Sequence, residues 1–199
     1  MGLFGAGPPG RRRSIGAGPS RARGRRPCRA SHFVTRAAVA GRLRGLSTAD
    51  RGRLEEITRA VGLFRDDELP VALEVFDAAV AGSPDYTALG VEVDGRLAGW
   101  ICWGPTPCTV ATWDLYWMAI DPALHGLGLG TLLVDEMERR LNGQARLIVV
   151  ETAGRADYAP TRAFYEARGY RAVGLIPDFY APGDDQVTFV KYFEVPATT

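Results

Sequence analysis

The sequence predicts an α/β domain with a mixed sheet, joined to a basic extension. Three observations carry this. Strand-period and helix-period apolar patterns alternate from about residue 40 onward. An Asp-Gly pair separates two apolar runs, as in a hairpin. A glycine-spaced loop joins a long strand to a long amphipathic helix.

The extension comes first, because charge and composition change sharply along the chain. Before Asp50 there are 11 arginines, no lysine and no acid, whereas the remainder holds 13 basic residues and all 23 acids, a net charge of −10. Residues 1–40, with the text GAGPPGRRRSIGAGPSRARGRRP, offer too little apolar surface to offset chain entropy. They are expected to be disordered, with the domain spanning residues 41–199. Such an arm can neutralise nucleic-acid phosphates. Yet no aromatic residue is interleaved between Arg11 and Arg29, and the part from Asp50 onward, of net charge −10, repels phosphate, so nucleic acid is not an expected partner. Arginine outnumbers lysine 23 to 1, which fits GC-rich coding. DNA read upstream of a true start codon yields text of this kind.

The apolar share of 46% and charged share of 24% are those of a soluble globular chain. No apolar run approaches the roughly 20 residues of a membrane helix, and the N-terminus lacks the apolar stretch and cleavage site of a secretory signal. Cys28, Cys102 and Cys108 are odd in number and without metal-ligand spacing. Reduced thiols and a cytoplasmic location are therefore expected.

The domain reads βααβββαβαββ. A short strand lies near Val39 to Leu46. Ser47 or Thr48 caps a helix with the stripe Leu54, Ile57, Val61. Asp66 starts a second helix that buries Leu69, Leu73, Phe76 and Val80 and ends at Gly82-Ser83-Pro84. Strands Tyr86 to Val93 and Arg96 to Trp103 flank the Asp94-Gly95 turn, and Gly104 to Pro107 breaks the pattern. A long strand, Val110 to Ile120, stops at Asp121-Pro122. The helix from about Gly126 to Asn142 carries Gly130, Val134, Met137 and Leu141 on one face. Arg146 to Glu151 reads as a buried strand. A helix from Pro160 to Arg168 has proline in its first turn and Gly169 past its end. Strands Tyr170 to Leu175 and Gln186 to Phe193 close the domain around a loop from Ile176 to Asp185.

The chemistry-bearing segment is His125-Gly126-Leu127-Gly128-Leu129-Gly130, between strand and helix. Alternate glycines let the backbone turn tightly and approach a ligand closely. Free amides at a helix start, with the helix dipole, suit a pyrophosphate. Thr131 and Leu132 follow the last glycine, so this is no Walker loop. One residue rather than two precedes that glycine, so it is no dinucleotide fingerprint. The spacing resembles the pattern of GCN5-related N-acetyltransferases: Gln or Arg, any two residues, Gly, any residue, Gly or Ala. His125 stands in the Gln/Arg position, a departure from the pattern. A second block, Ala163-Phe164-Tyr165-Glu166-Ala167-Arg168-Gly169-Tyr170, resembles that family's helix with Tyr, three residues, Gly and an aromatic. Asp178 to Asp185 is similar to an uncharacterised bacterial branch, and the resemblance spans about residues 40–195.

The resemblance implies a central, mostly antiparallel sheet of six to seven strands with four helices, splayed where the cofactor enters. It implies transfer of an acetyl group from acetyl-CoA to a primary amine of a small molecule or peptide, without a metal; His32 and His125 form no metal-binding pair. Met118, Ala119 and Ile120 would run along the pantetheine arm. His125, Gly126, Leu127, Gly128, Leu129, Gly130 and Thr131 would cradle the pyrophosphate, with Tyr158 also on the cofactor side. Tyr165 matches the family's general acid. An aliphatic amine, with a pKa of about 10.4, must lose a proton before attack. Asp114 and Glu151 compete as the base, with an ordered water as the third candidate. No protein nucleophile is required, so Cys102 is expected to be packing. Phe64, Asp66, Asp67, Glu68 and Asp178 are candidates for the acceptor end, and some of Trp100, Trp103, Trp113, Tyr116 and Trp117 for its wall. A homodimer is compatible with the family, no membrane partner is expected, and the alternative function is a non-catalytic acetyl-CoA sensor of the same fold.

Overall fold

The structure, a computed structural model, describes residues 41–194. The extension of residues 1–40, with Cys28 and His32, lies outside them. Among the described residues the elements follow the predicted order: β1 Arg42–Gly45, α1 Arg51–Ala60, α2 Glu68–Val80, β2 Thr87–Val93, β3 Arg96–Pro105, β4 Thr112–Ile120, α3 Leu129–Leu141, β5 Leu147–Ala153, α4 Ala159–Ala167, β6 Arg171–Ala181 and β7 Asp184–Tyr192. Seven strands make one sheet in the order β1-β2-β3-β4-β5-β7-β6, and only the β4–β5 pair is parallel.

Local chemistry sets these elements. Ahead of α1, the carboxylate of Asp50 accepts from the Ser47 N–H at 2.9 Å and from its hydroxyl at 3.1 Å, fixing the entering turn. The hairpin between β2 and β3 has Asp94 at φ 50° and Gly95 at φ 76°, the positive values its two-residue turn requires. Two apolar layers cover the sheet. Leu54, Ile57, Ala72 and Phe76 of α1 and α2 pack on Trp100 and Cys102. Leu133, Val134, Met137 and Tyr165 of α3 and α4 pack with Ile101, Trp103, Ile148 and Val150. Trp100 is fully buried, and its indole N–H donates to the Thr58 hydroxyl at 3.0 Å. Cys102 is also fully buried, and burial pushes its thiol up to about 12, as expected of packing rather than chemistry.

Three expectations need correction. β3 runs past Trp103 to Pro105, because Gly104 marks a close approach rather than a break: a Cβ there would lie 1.9 Å from the Asp85 carbonyl oxygen. α3 begins at Leu129, not Gly126, since Gly126 and Gly128 adopt φ of 76° and 79° and turn the chain before the helix. The expected loop from Ile176 to Asp185 is a hairpin, with β6 continuing to Ala181 and β7 starting at Asp184. Pro177 is tolerated there because β6 is an edge strand, and a register shift between Ile176 and Ala181 absorbs Asp178 at φ 53°.

Candidate active site

The site grows from a mismatch between β4 and β5. β5 pairs with β4 only over Thr112 to Leu115, while β4 continues to Ile120. On its other side, β4 pairs Leu115 with Trp103 and Trp117 with Cys102, so Tyr116 is an extra, bulged residue. The bulge bends β4 away, and Tyr116 to Ile120 are left without a β5 partner among the described residues. A cavity of about 730 Å³ opens at this splay.

The strand end is tied down before the glycine turn. Asp121 accepts from the Ala123 N–H at 3.0 Å and also receives the Arg53 guanidinium of α1. His125 donates from Nε2 to the Ile120 carbonyl at 3.0 Å, so its ring clamps the turn against β4. The amides of Gly126, Leu127 and Gly128 have no acceptor among the described residues. Those of Leu129, Gly130 and Thr131 precede the first helical bond, from Leu132 to the Gly128 carbonyl at 3.0 Å. A row of donors at the start of α3 therefore meets the cavity, a geometry that binds anions.

The other wall comes from β5, α4 and β7. Tyr165, 3% exposed, lies between the aromatic core and the cavity, against Phe164, Tyr170 and Phe189. Burial pushes its hydroxyl well above the ordinary phenol value, so it is protonated at neutral pH. Asp114 and Glu151 face the same cavity. Asp114 is held by the Thr106 hydroxyl, which donates to Oδ2 at 2.7 Å. Thr106 is itself fixed by its N–H donating to the Thr112 carbonyl at 2.9 Å. Glu151 is raised above the usual carboxylate range, first by burial and then by the charge of Asp114. Beyond it the connection between α1 and α2 is latched: Arg155 Nη2 donates to the Leu63 carbonyl at 2.8 Å, and the Tyr158 hydroxyl approaches the same oxygen at 3.4 Å. Burial pushes the Tyr158 phenol up to about 12.

The cavity thus brings together Met118, Ala119, Ile120, His125, Gly126, Gly128, Leu129, Gly130, Thr131, Tyr158, Tyr165, Asp114 and Glu151. Leu127 points its side chain into the core instead, leaving only its backbone for a ligand. Of the acceptor candidates, Phe64, Glu68, Tyr116 and Trp117 line the cavity, whereas Trp100 and Trp103 are core. Asp66 is fully solvent-exposed, Asp67 pairs with Arg65 at 3.0 Å, and Asp178 accepts from Gly183 N–H at 2.6 Å, so none of these three lines it. Sequence reasoning missed Arg155, Tyr180 and Asp184. The Asp184-Asp185 pair is visible in the sequence, but only the hairpin turns Asp184 inward. Among the described residues no group of three or more His, Cys, Asp and Glu is arranged to hold a metal ion, and no helix is long and apolar enough to cross a membrane.

Comparison with known proteins identifies the family and the fold. An uncharacterized N-acetyltransferase of Methanocaldococcus jannaschii is 29% identical over 75% of this chain and 90% of its own length. A GNAT-family structure from Desulfovibrio desulfuricans is 34% identical, with a TM-score of 0.69 over 77% of this chain and 98% of its own. A structure from Salmonella typhimurium, solved with its cofactor acetyl-CoA, shares the fold at 19% identity, with a TM-score of 0.63 over 80% of this chain and 97% of that one. The profile of the acetyltransferase (GNAT) family matches residues 53–170. With that match across more than half of its length, this chain is a member of the acetyltransferase (GNAT) family.

Proposed function

We propose that the protein transfers the acetyl group of acetyl-CoA to a primary amine by direct attack within a ternary complex. One observation carries the proposal: a single cavity joins the amide-rich turn, the unpaired edge of β4, Tyr165 and two carboxylates. The donor fits that cavity by chemistry as well as shape. A diphosphate suits the amides from Gly126 to Thr131, and an extended amide-bearing arm suits the free backbone of Met118, Ala119 and Ile120. When bound, acetyl-CoA supplies an activated acyl carbon and a thiolate leaving group.

The residues then divide the proton work. Glu151 takes the proton from the ammonium first, since only the neutral nitrogen has a lone pair to bond to the acyl carbon; its raised pKa brings it closer to the working pH. Once bonded, the nitrogen sheds a second proton to solvent as the amide forms, and solvent later reprotonates Tyr165. Tyr165 gives its hydroxyl proton to the departing sulfur as the C–S bond breaks, and its buried phenol remains protonated until that moment. Asp114, held by Thr106, keeps Glu151 basic through its charge. A binding module needs no such acid and base in its cavity, which favours catalysis over a sensor role.

Saturation with acetyl-CoA at about 100 times its dissociation constant is expected to stabilise the protein by about 2.7 kcal/mol, measured as a rise in Tm. Gly128→Val is expected to abolish that rise, because a β-branched residue does not adopt φ 79° without roughly 1–2 kcal/mol of strain and the amides re-aim. Wild-type protein with no thermal response to acetyl-CoA would defeat the proposal. The domain boundary is tested separately. Removing residues 1–35 is expected to leave acetyl-CoA binding intact by calorimetry, since among the described residues the pocket lining runs from Val61 to Asp184.

A further inference from the structure

The cavity is more acidic than one reacting amine requires. Glu68, Asp114 and Glu151 line it without an ion-pair partner among the described residues. The two arginines beside them are already engaged, Arg65 by Asp67 at 3.0 Å and Arg155 by Asp157 at 3.2 Å and by Asp184 at 3.0 Å. Proton transfer from the acceptor neutralises at most one of these carboxylates.

Asp184 adds an independent observation. Its side chain is 8% exposed and lies in the cavity wall, with Oδ2 bound to Arg155 and Oδ1 buried without a hydrogen-bond partner among the described residues. Buried polar atoms are nearly always satisfied, so this exception leaves negative charge at the cavity wall uncompensated. Glu68 lies at the same end. The Tyr180 phenol is raised by burial first and further by the charges of Glu151, Glu68 and Asp184, so the hydroxyl sits within the field of all three. Phe64, Tyr158 and Tyr180 supply aromatic wall there, which suits a methylene chain ending in a cation.

We infer that the acceptor is an aliphatic diamine or polyamine, whose second ammonium is held by Glu68 and Asp184 beside Tyr180 while Glu151 and Asp114 face the reacting nitrogen. The inference rests on the acetyl-transfer function proposed above. The second ammonium keeps its charge throughout and donates to Glu68, with the buried Asp184 carboxylate adding negative charge from the wall. Acceptors carrying a carboxylate near the amine are repelled by the same wall.

The test compares 1,4-diaminobutane with butylamine, matched in chain length, by calorimetry on the CoA-loaded protein. The diamine is expected to bind about tenfold more tightly or better, equivalent to about 1.4 kcal/mol. Glu68→Gln and Asp184→Asn, which keep shape and remove charge, should each lower that ratio, and together bring it to about one. CoA affinity measured on the same variants reports that they are folded. Equal binding of the two amines by the wild type, or a preference that survives in the double variant, overturns the subsite. A preserved preference with no CoA released from acetyl-CoA by any amine defeats the acetyl-transfer function instead.

Discussion

Tyr165→Phe is expected to lower turnover by about 10² or more while acetyl-CoA affinity stays the same. The substitution removes one oxygen and leaves the ring, which carries the packing against Phe164, Tyr170 and Phe189. No hydrogen bond joins the Tyr165 hydroxyl to another described residue, so its loss breaks no structural link. The deficit therefore reads as lost protonation of the leaving sulfur. Steady-state kinetics of CoA release, with acetyl-CoA affinity measured directly, check this. Full activity in the variant would remove Tyr165 from the chemistry and leave it as core.

Glu151→Gln is expected to cost about 10²-fold or more in turnover at neutral pH, with partial recovery as pH approaches the pKa of the free amine. That recovery separates a base from a residue that only binds acceptor, whose loss raises KM at every pH. Asp114 gives the contrasting result. Its charge is one reason that Glu151 is raised, so Asp114→Asn lowers the pKa of Glu151 and moves the acid limb of kcat/KM to lower pH. Beyond burial, Asp114 from β4 is the charge that raises Glu151, and Tyr180 from β6 lies within the field of Glu151. Loss of turnover with high-pH rescue in Asp114→Asn, and none in Glu151→Gln, exchanges the two roles. The linkage also has a sign for stability. A carboxyl with a raised folded pKa holds its proton more tightly when folded than unfolded, so it costs stability as pH rises past the unfolded value. Glu151→Gln should accordingly keep or raise Tm at neutral pH while losing activity.

Element order was legible from residues 41 to 175 because local signals agree there. Asp94-Gly95 gives the hairpin, Asp121-Pro122 ends a strand, and Leu54 with Ile57 or Val134 with Met137 marks helical spacing. The segment from Ile176 to Asp185 was misread because Pro177, Pro182, Gly183 and adjacent acids are loop composition. On an edge strand such residues meet few steric or hydrogen-bonding demands, so composition says little about pairing. The turn from His125 to Gly130 was legible as a turn because the positive φ at Gly126 and Gly128 requires glycine. The far end of the cavity was legible only in Phe64 and Glu68, since Tyr180 and Asp184 reach it from β6 and β7 only after the sheet has closed. A charge run such as Asp66-Asp67-Glu68 contains no indication that only its last member turns inward.

The narrow junction between β4 and β5 has a consequence for how the molecule holds together. Strands β1–β4 and strands β5–β7 are sewn through only four residue pairs, Thr112 to Leu115 against Leu147 to Val150. The sheet is thus two plates with a short seam, and the open part of that seam is where the donor would lie. A ligand bonded to backbone on both plates works as a second row of stitches. Part of its binding energy then appears as cooperativity between the halves, raising protection of β5 and β7 against local opening as well as the global transition.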